Sequence, residues 1–312
     1  MERKLLNNNR KGALLIILAG TCWGVISIFI NYMSDAGLGT MQISFLRQLF
    51  AVTIFALLIL SKDRNLFRIR LMDLGLIMLC GFINGVVFNF LYFYTIINSR
   101  ASIAVVLLYT SPVFVMILAR IFFGEKFTAP KLVALVLTIV GCVLVTGVLG
   151  EGYTPPPVAI LTGVLTGLAY ALNNILTSIA VRKNPPETVT MYTLLFSFIF
   201  LIPFSGAGEL FSICLAKPSI LAVAFVMSIV TGVLAQYVFS MGLKLIESGK
   251  AAIYGATEPI VGSLVGIFIF REEAGPMKIA GIIMVITAIL LIGREDQNRK
   301  DRSEPGSEDL LE

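Results

Sequence analysis

Glu258 lies about eight residues into an apolar run of roughly 250–270, about 12 Å from its start at 1.5 Å per residue. An ionisable side chain at that depth costs on the order of 2.5–3.5 kcal/mol on membrane-insertion scales, so it needs a compensating role. Pro259 follows it, removes a backbone donor and frees the carbonyl of Gly255, which predicts a kinked, locally polar helix beside the acid. Such a carboxyl can hold a proton or a substrate ammonium, and its structural alternative is an ion pair or hydrogen bond that staples helices. Arg47 lies about seven residues into another run, 40–60. Its planar fork can grip a substrate carboxylate or Glu258 itself, or the side chain can simply snorkel. A cation and an anion in one cavity suit a zwitterion.

Around this pair the candidate contacts are Trp23, Asn84, Asn89, Tyr92, Tyr109, Asn173, Gln236 and Tyr254, with Asn174 and Thr257 beside them. Asn89 and Tyr92, three apart, share a helix face. Amides and hydroxyls can hydrogen-bond a solute, and Trp23 and Tyr109 can stack on it. The same groups also serve as interhelical bonds and interfacial anchors. Pro112 and Pro259 each break a helical hydrogen bond inside an apolar run and are candidate hinges, with a static kink as the alternative.

Helices that place such groups must lie in a bilayer. Of 312 residues 57% are hydrophobic and 14% charged, outside the range of soluble domains. Histidine is absent, which removes imidazole-based nucleophiles and zinc or haem ligation through His. The four cysteines share no CxxC spacing and read as small core residues, so neither a metal site nor a disulfide framework is suggested, and no cofactor is expected. No GxxxxGK[ST] loop, GxSxG elbow or intramembrane aspartate pair occurs, which argues against a motor or an enzyme and leaves a gradient to drive any movement of solute. The formal charge of +5 is scattered in short clusters between apolar runs, a pattern of membrane topology rather than of nucleic-acid binding.

Ten runs are long enough to span the hydrocarbon, at about 13–33, 40–60, 71–97, 101–123, 131–149, 158–181, 188–206, 219–243, 250–270 and 277–293. The fold expected is therefore an all-α polytopic membrane protein. With both termini on one side, nineteen of the 24 Lys and Arg fall on that side and only Arg100, Lys217, Arg271 and Lys278 on the other, which predicts cytoplasmic termini. The chain also aligns with itself without gaps at a register of 147 residues. Thr110-Ser111-Pro112 then meets Thr257-Glu258-Pro259, Trp23 meets Tyr170, Glu125 meets Glu272 and Lys131 meets Lys278. Five spans per copy force the second copy to be inverted relative to the first, so the halves read as 1–149 and 158–293, joined by a Pro-rich linker, 150–157. After them, 294–312 reads as a disordered cytoplasmic tail.

The ensemble of Trp23-Gly24 in span one, Arg47 in span two, Pro112 in span four, Glu258-Pro259 in span nine, and Glu125 and Glu272 just beyond spans four and nine resembles an EamA-type member of the drug/metabolite transporter superfamily. The resemblance covers residues of about 10–295 and implies a bacterial exporter fold in the cytoplasmic membrane. It implies a central cavity lined mainly by spans one to four and six to nine, with five and ten peripheral. The expected partners are a small-molecule substrate, the lipid bilayer and protons as the candidate coupling ion. The favoured function is secondary export of zwitterionic amino acids or related amphipathic compounds, with organic cations or drugs as the alternative. A membrane enzyme or lipid-processing accessory protein is the alternative of another class. Oligomeric state is not written in the sequence.

Overall fold

The computed structural model describes residues 2–147 and 154–303, and the side chains of 8–147 and 154–295. Among the described residues all regular structure is helical, and ten helices are long and apolar enough to cross a membrane. In order they are Asn8–Asp35, Thr40–Lys62, Leu71–Asn98, Ala101–Phe123, Ala129–Thr146, Pro157–Lys183, Pro186–Phe204, Ser219–Leu245, Ser248–Phe268 and Pro276–Glu295, referred to below as spans one to ten. The outward faces carry large apolar residues such as Leu57, Ile121 and Val136, as lipid contact requires. Five spans per repeat leave the second repeat inverted relative to the first.

The repeats share their irregularities. Span four is broken between Ala101–Leu108 and Ser111–Phe123, and span nine between Ser248–Gly255 and Thr257–Phe268, at positions one register apart. Pro112 and Pro259 sit in the first turn of the second half-helix, where a missing N–H has no intrahelical partner to lose. Equivalent hydroxyls bond back onto the first half-helices at the breaks, Thr110 Oγ1 donating to Leu107 O at 2.6 Å and Thr257 Oγ1 to Tyr254 O at 2.8 Å. Spans three and eight each contain a π-helical stretch, Ile83–Val87 and Ser228–Leu234. Glycines let neighbouring spans close on the breaks. A Cβ on Gly20 would lie 3.2 Å from Glu258 N, and one on Gly167 3.2 Å from Ser111 N, again the same contact repeated.

Two features depart from the sequence-based expectation. A short helix, Ala207–Ala216, lies between spans seven and eight and packs Leu210 among Met33, Leu38 and Ile220. At ten residues it is too short to register as a span. The last helix runs from Pro276 to Ser303, through part of the tail expected to be disordered from Arg294. Extending an existing helix needs no new nucleus, and the Arg, Glu, Gln and Lys there are good helix formers. Residues 304–312, and 148–153 at the start of the Pro-rich linker, lie outside the described residues, and span six begins at Pro157.

The two faces of the bundle are packed unequally. Toward the termini one buried cluster, including Ile16, Ile77, Val181, Leu243, Ile253 and Ile292, joins eight of the ten spans. Toward the opposite face the corresponding cluster around Met33, Leu46 and Met227 joins only spans one, two and eight and the short helix. Spans five and ten pack on each other through Gly141 and Gly281, whose missing side chains allow backbone approach.

Candidate functional site

Where the repeats meet, a cavity of about 120 Å³ is lined by Trp23, Ile26, Arg47, Gln48, Asn84, Phe88, Tyr170, Asn173, Asn174, Leu194, Thr231, Gly232, Gln236, Phe239 and Glu258. At about 30 Å³ per water it has room for about four waters or one small solute. Its wall obeys the repeat: Trp23 and Tyr170, Ile26 and Asn173, Arg47 and Leu194, and Asn84 and Thr231 are equivalent pairs, and both members of each line it. The walls come from spans one, two, three, six, seven, eight and nine. Span four, expected among them, supplies no lining residue. Its broken segment instead packs Tyr109 against Cys142, Ala256 and Ile260.

Six of the ten residues expected to contact substrate therefore share the cavity: Arg47, Glu258, Trp23, Asn84, Asn173 and Gln236. The other four do not line it. Asn89 is buried as a helix staple, accepting from Ser44 Oγ at 3.1 Å and donating to the carbonyls of Asn84 at 3.0 Å and Gly85 at 2.8 Å. Its amide thereby satisfies the stretched π-helical turn. Tyr92 lies one layer back, stacked on Phe88 at 5.8 Å. Tyr109 is in the cluster just described, and Tyr254 is 3% exposed in the core toward the termini. The prolines flank the site rather than line it.

Trp23 is only partly available to a ligand. Its Nε1 donates to Thr231 O at 3.1 Å and its ring lies 5.1 Å from Phe239, leaving a face rather than a donor. Facing residues Phe88 and Tyr170 form a second aromatic pair at 6.1 Å. Gln48, Phe88, Tyr170, Thr231 and Phe239 were not among the expected contacts. Tyr170 alone carried a signal, its register match with Trp23.

Charge and polarity are concentrated on this wall. Glu258 occupies the first turn of Thr257–Phe268, where the helix dipole favours an anion. Among the described residues the side chains of Arg47 and Glu258 form no ion pair with each other and no side-chain hydrogen bond, although both line the cavity. Five lining residues carry buried polar atoms without partners: Arg47 Nε, Gln48 Oε1, Asn173 Oδ1, both side-chain atoms of Asn174, and Gln236 Nε2. Leaving such groups unmet costs on the order of 1–3 kcal/mol each, so the wall calls for a polar occupant. Among the described residues no cluster of His, Cys, Asp and Glu could hold a metal, and Cys22, Cys80, Cys142 and Cys214 are unbridged.

This architecture has counterparts. The chain is 28% identical to a transporter of Archaeoglobus fulgidus over 92% of its own length and 97% of the relative's. It is 21% identical to an inner membrane transporter of Salmonella typhimurium, covering 94% and 99%. It is 24% identical to an S-adenosylmethionine uptake transporter of Rickettsia conorii, covering 68% and 70%. A solved crystal structure with 13% identity superposes with a TM-score of 0.75 over 92% of this chain and 98% of that one, a likeness of fold. The sequence profile of the EamA-like transporter family matches twice, at residues 10–147 and 157–294, and the two matches start one 147-residue register apart. This chain, a multi-pass membrane transporter and not an enzyme, belongs to the EamA-like transporter family.

Proposed function

We propose that the protein is a secondary exporter of small zwitterionic metabolites, with amino acids the favoured class, working by alternating access to the central cavity with both termini in the cytoplasm. The observation that carries this reading is the pair Arg47 and Glu258 on one cavity wall, opposite in charge and not paired with each other. A guanidinium matches a carboxylate bidentately, and a carboxylate at a helix N-terminus accepts an ammonium or a coupling proton. The unpartnered amides of Gln48, Asn173, Asn174 and Gln236 favour a solute with its own donors and acceptors over a lipophilic organic cation, which would leave them unmet. The Rickettsia relative is named for uptake of S-adenosylmethionine, an amino-acid derivative, so export is the part of this proposal that vesicle orientation must test. The positive-inside count supports cytoplasmic termini.

The test is counterflow of labelled amino acids in sealed proteoliposomes, with each amino acid compared with its decarboxylated amine, with and without a pH gradient. Competition by the amino acid and not by the amine is expected. Transport of the amine alone would shift the substrate class to organic cations with Glu258 as the recognition group. Covalent change in the solute would overturn transport as the activity of the cavity.

A further inference from the structure

The loop after span four and its repeat-equivalent after span nine share two backbone features. Gly124 and Arg271, one register apart, both adopt left-handed φ, +68° and +57°, and Arg271 is the non-glycine residue that does so among the described residues. The next residue donates its N–H six positions back in each case, Glu125 to Ala119 O at 3.3 Å and Glu272 to Gly266 O at 3.0 Å. Two similar turns thus present two equivalent carboxylates on opposite faces of the membrane.

The carboxylates do different things. Glu125 reaches into the other repeat and caps the first turn of span nine, accepting from Ser248 N at 2.8 Å and Gly249 N at 3.1 Å. It is 8% exposed, and Lys131, 2% exposed, bridges it at 3.8 Å to Glu247. By the repeat, Glu272 would cap Ala101 and Ser102 at the start of span four. It instead folds back to Lys278 at 2.8 Å and is 54% exposed. Ser248 and Gly249 are buried, whereas Ala101 is exposed. Gly266 makes the folded-back position possible, since a Cβ there would lie 2.6 Å from Glu272 Oε2. The equivalent residue in the first repeat is Ala119, whose methyl denies Glu125 the same retreat.

We infer that Glu125 and Glu272 are paired latches of the transport cycle, each closing its own face by capping the broken span of the opposite repeat, Glu125 on span nine in the present state and Glu272 on span four in the alternate one. The engaged latch lies on the face sealed by the larger buried cluster, and the disengaged one on the face with the smaller cluster. The inference rests on alternating access but not on the identity of the substrate.

The experiment replaces the four native cysteines by alanine, introduces Ala251→Cys just beneath the engaged latch, and measures its reaction rate with a membrane-impermeant maleimide in detergent solution. Ala251 is fully buried in the cluster toward the termini, so the parent should label slowly. Glu125→Ala should speed labelling about tenfold, one decade being 1.4 kcal/mol. Glu272→Ala should leave it at or below the parent rate. Gly266→Ala, which evicts the retracted carboxylate with Glu125 intact, should also speed labelling, and adding Glu272→Ala should abolish that gain. Equal acceleration by Glu125→Ala and Glu272→Ala, or a Gly266→Ala effect that survives without Glu272, would overturn exchange and leave two local structural contacts. If Glu125→Ala yields no folded protein, the Gly266 and Glu272 variants decide alone. No substrate enters the readout, so a wrong substrate class leaves the latches standing, while unchanged labelling in every variant removes them and not the substrate class.

Discussion

The two repeats build one scaffold around the cavity and furnish it differently, and the contrast is sharpest at Asn89 and Gln236, which occupy the same rung. Asn89 turns its amide onto its own π-helical stretch and onto Ser44, and so leaves the cavity. In the second repeat the carbonyl equivalent to that of Asn84, Thr231 O, is met from the other half by Trp23 Nε1 at 3.1 Å. Gln236 is then released to line the cavity with an unpartnered Nε2. Arg47 faces Leu194 across the repeat and Glu258 corresponds to Ser111, so the charged groups also come one per half. What the repeats share is the machinery of helix breaks, glycine contacts and turns. At these three register pairs the difference falls on the cavity wall.

The strongest way to break this comparison is at span nine. Glu258→Gln keeps shape and hydrogen bonding but removes the charge, and is expected to lower amino-acid counterflow at least ~30-fold, in line with the 2 kcal/mol or more for losing one partner of a buried charge pair. If Glu258 also carries the coupling proton, the remaining activity should be independent of pH. Ser111→Ala, its equivalent, should change transport less than twofold. Equal losses in the two variants would mean that the position serves the broken helix and not the solute.

Arg47→Leu copies the second repeat's Leu194 into the first. The expected loss is about tenfold or more in affinity for the amino acid, the scale of one charge-assisted hydrogen bond, with little change for the decarboxylated amine. Arg47→Lys should lose most of the same preference, because an ammonium lacks the fork. A fall in thermal midpoint with selectivity intact would return Arg47 to a staple between helices.

The contrast also explains what could be read from the chain alone. The ten spans, the inversion and the equivalence of Trp23 and Tyr170 were legible because hydropathy and a gapless register are properties of the whole sequence. Six of the expected contacts reached the cavity because a polar or charged residue in an apolar run must face something other than lipid. That rule cannot say whether the polar partner is a solute or another helix, and Asn89 and Gln236 illustrate both outcomes. Phe88 and Phe239 carry no such signal, since an aromatic ring on a cavity wall has the composition of core. Gln48 carries a weaker signal than its charged neighbour Arg47, although both reach the wall. The π-helical stretches have no period of their own, yet Gly85 and Gly232 mark them at matching positions, where the first packs on Ser197 and the second on Ala51.

Substituting the shared rung separates the two roles directly. Asn89→Ala removes three hydrogen bonds and leaves the Ser44 hydroxyl and two carbonyls short of a partner, so a cost of about 1–3 kcal/mol and a thermal midpoint lower by several degrees are expected. Gln236→Ala should leave the midpoint within a degree or so, since its Nε2 has no bond to lose, and weaken amino-acid binding about fivefold, somewhat less than one full hydrogen bond's decade. Thermal unfolding in detergent and counterflow competition on both variants measure this. The reverse pattern would show that the cavity amide is structural and the buried staple is not.

The smallest expected effect concerns the turn where the repeats agree in backbone but not in residue. Gly124 meets the left-handed conformation without a Cβ, and nothing lies within 4 Å of where one would be, so that position constrains only the backbone. Arg271 holds the same conformation with a side chain, at a strain of about 1–2 kcal/mol. Arg271→Gly relieves that strain, while the freer unfolded chain returns about 0.4–1 kcal/mol of it. The net gain expected is therefore roughly 0.5–1 kcal/mol, or a midpoint about 1–4 °C higher. Transport should be unchanged, because Glu272 and Lys278 keep their contact from the same turn. The converse, Gly124→Arg, should lower the midpoint by a similar amount. An unchanged or lower midpoint in Arg271→Gly would mean that the arginine stabilises its turn by more than the strain it bears, and the repeats would then differ there in energetics as well as in residue.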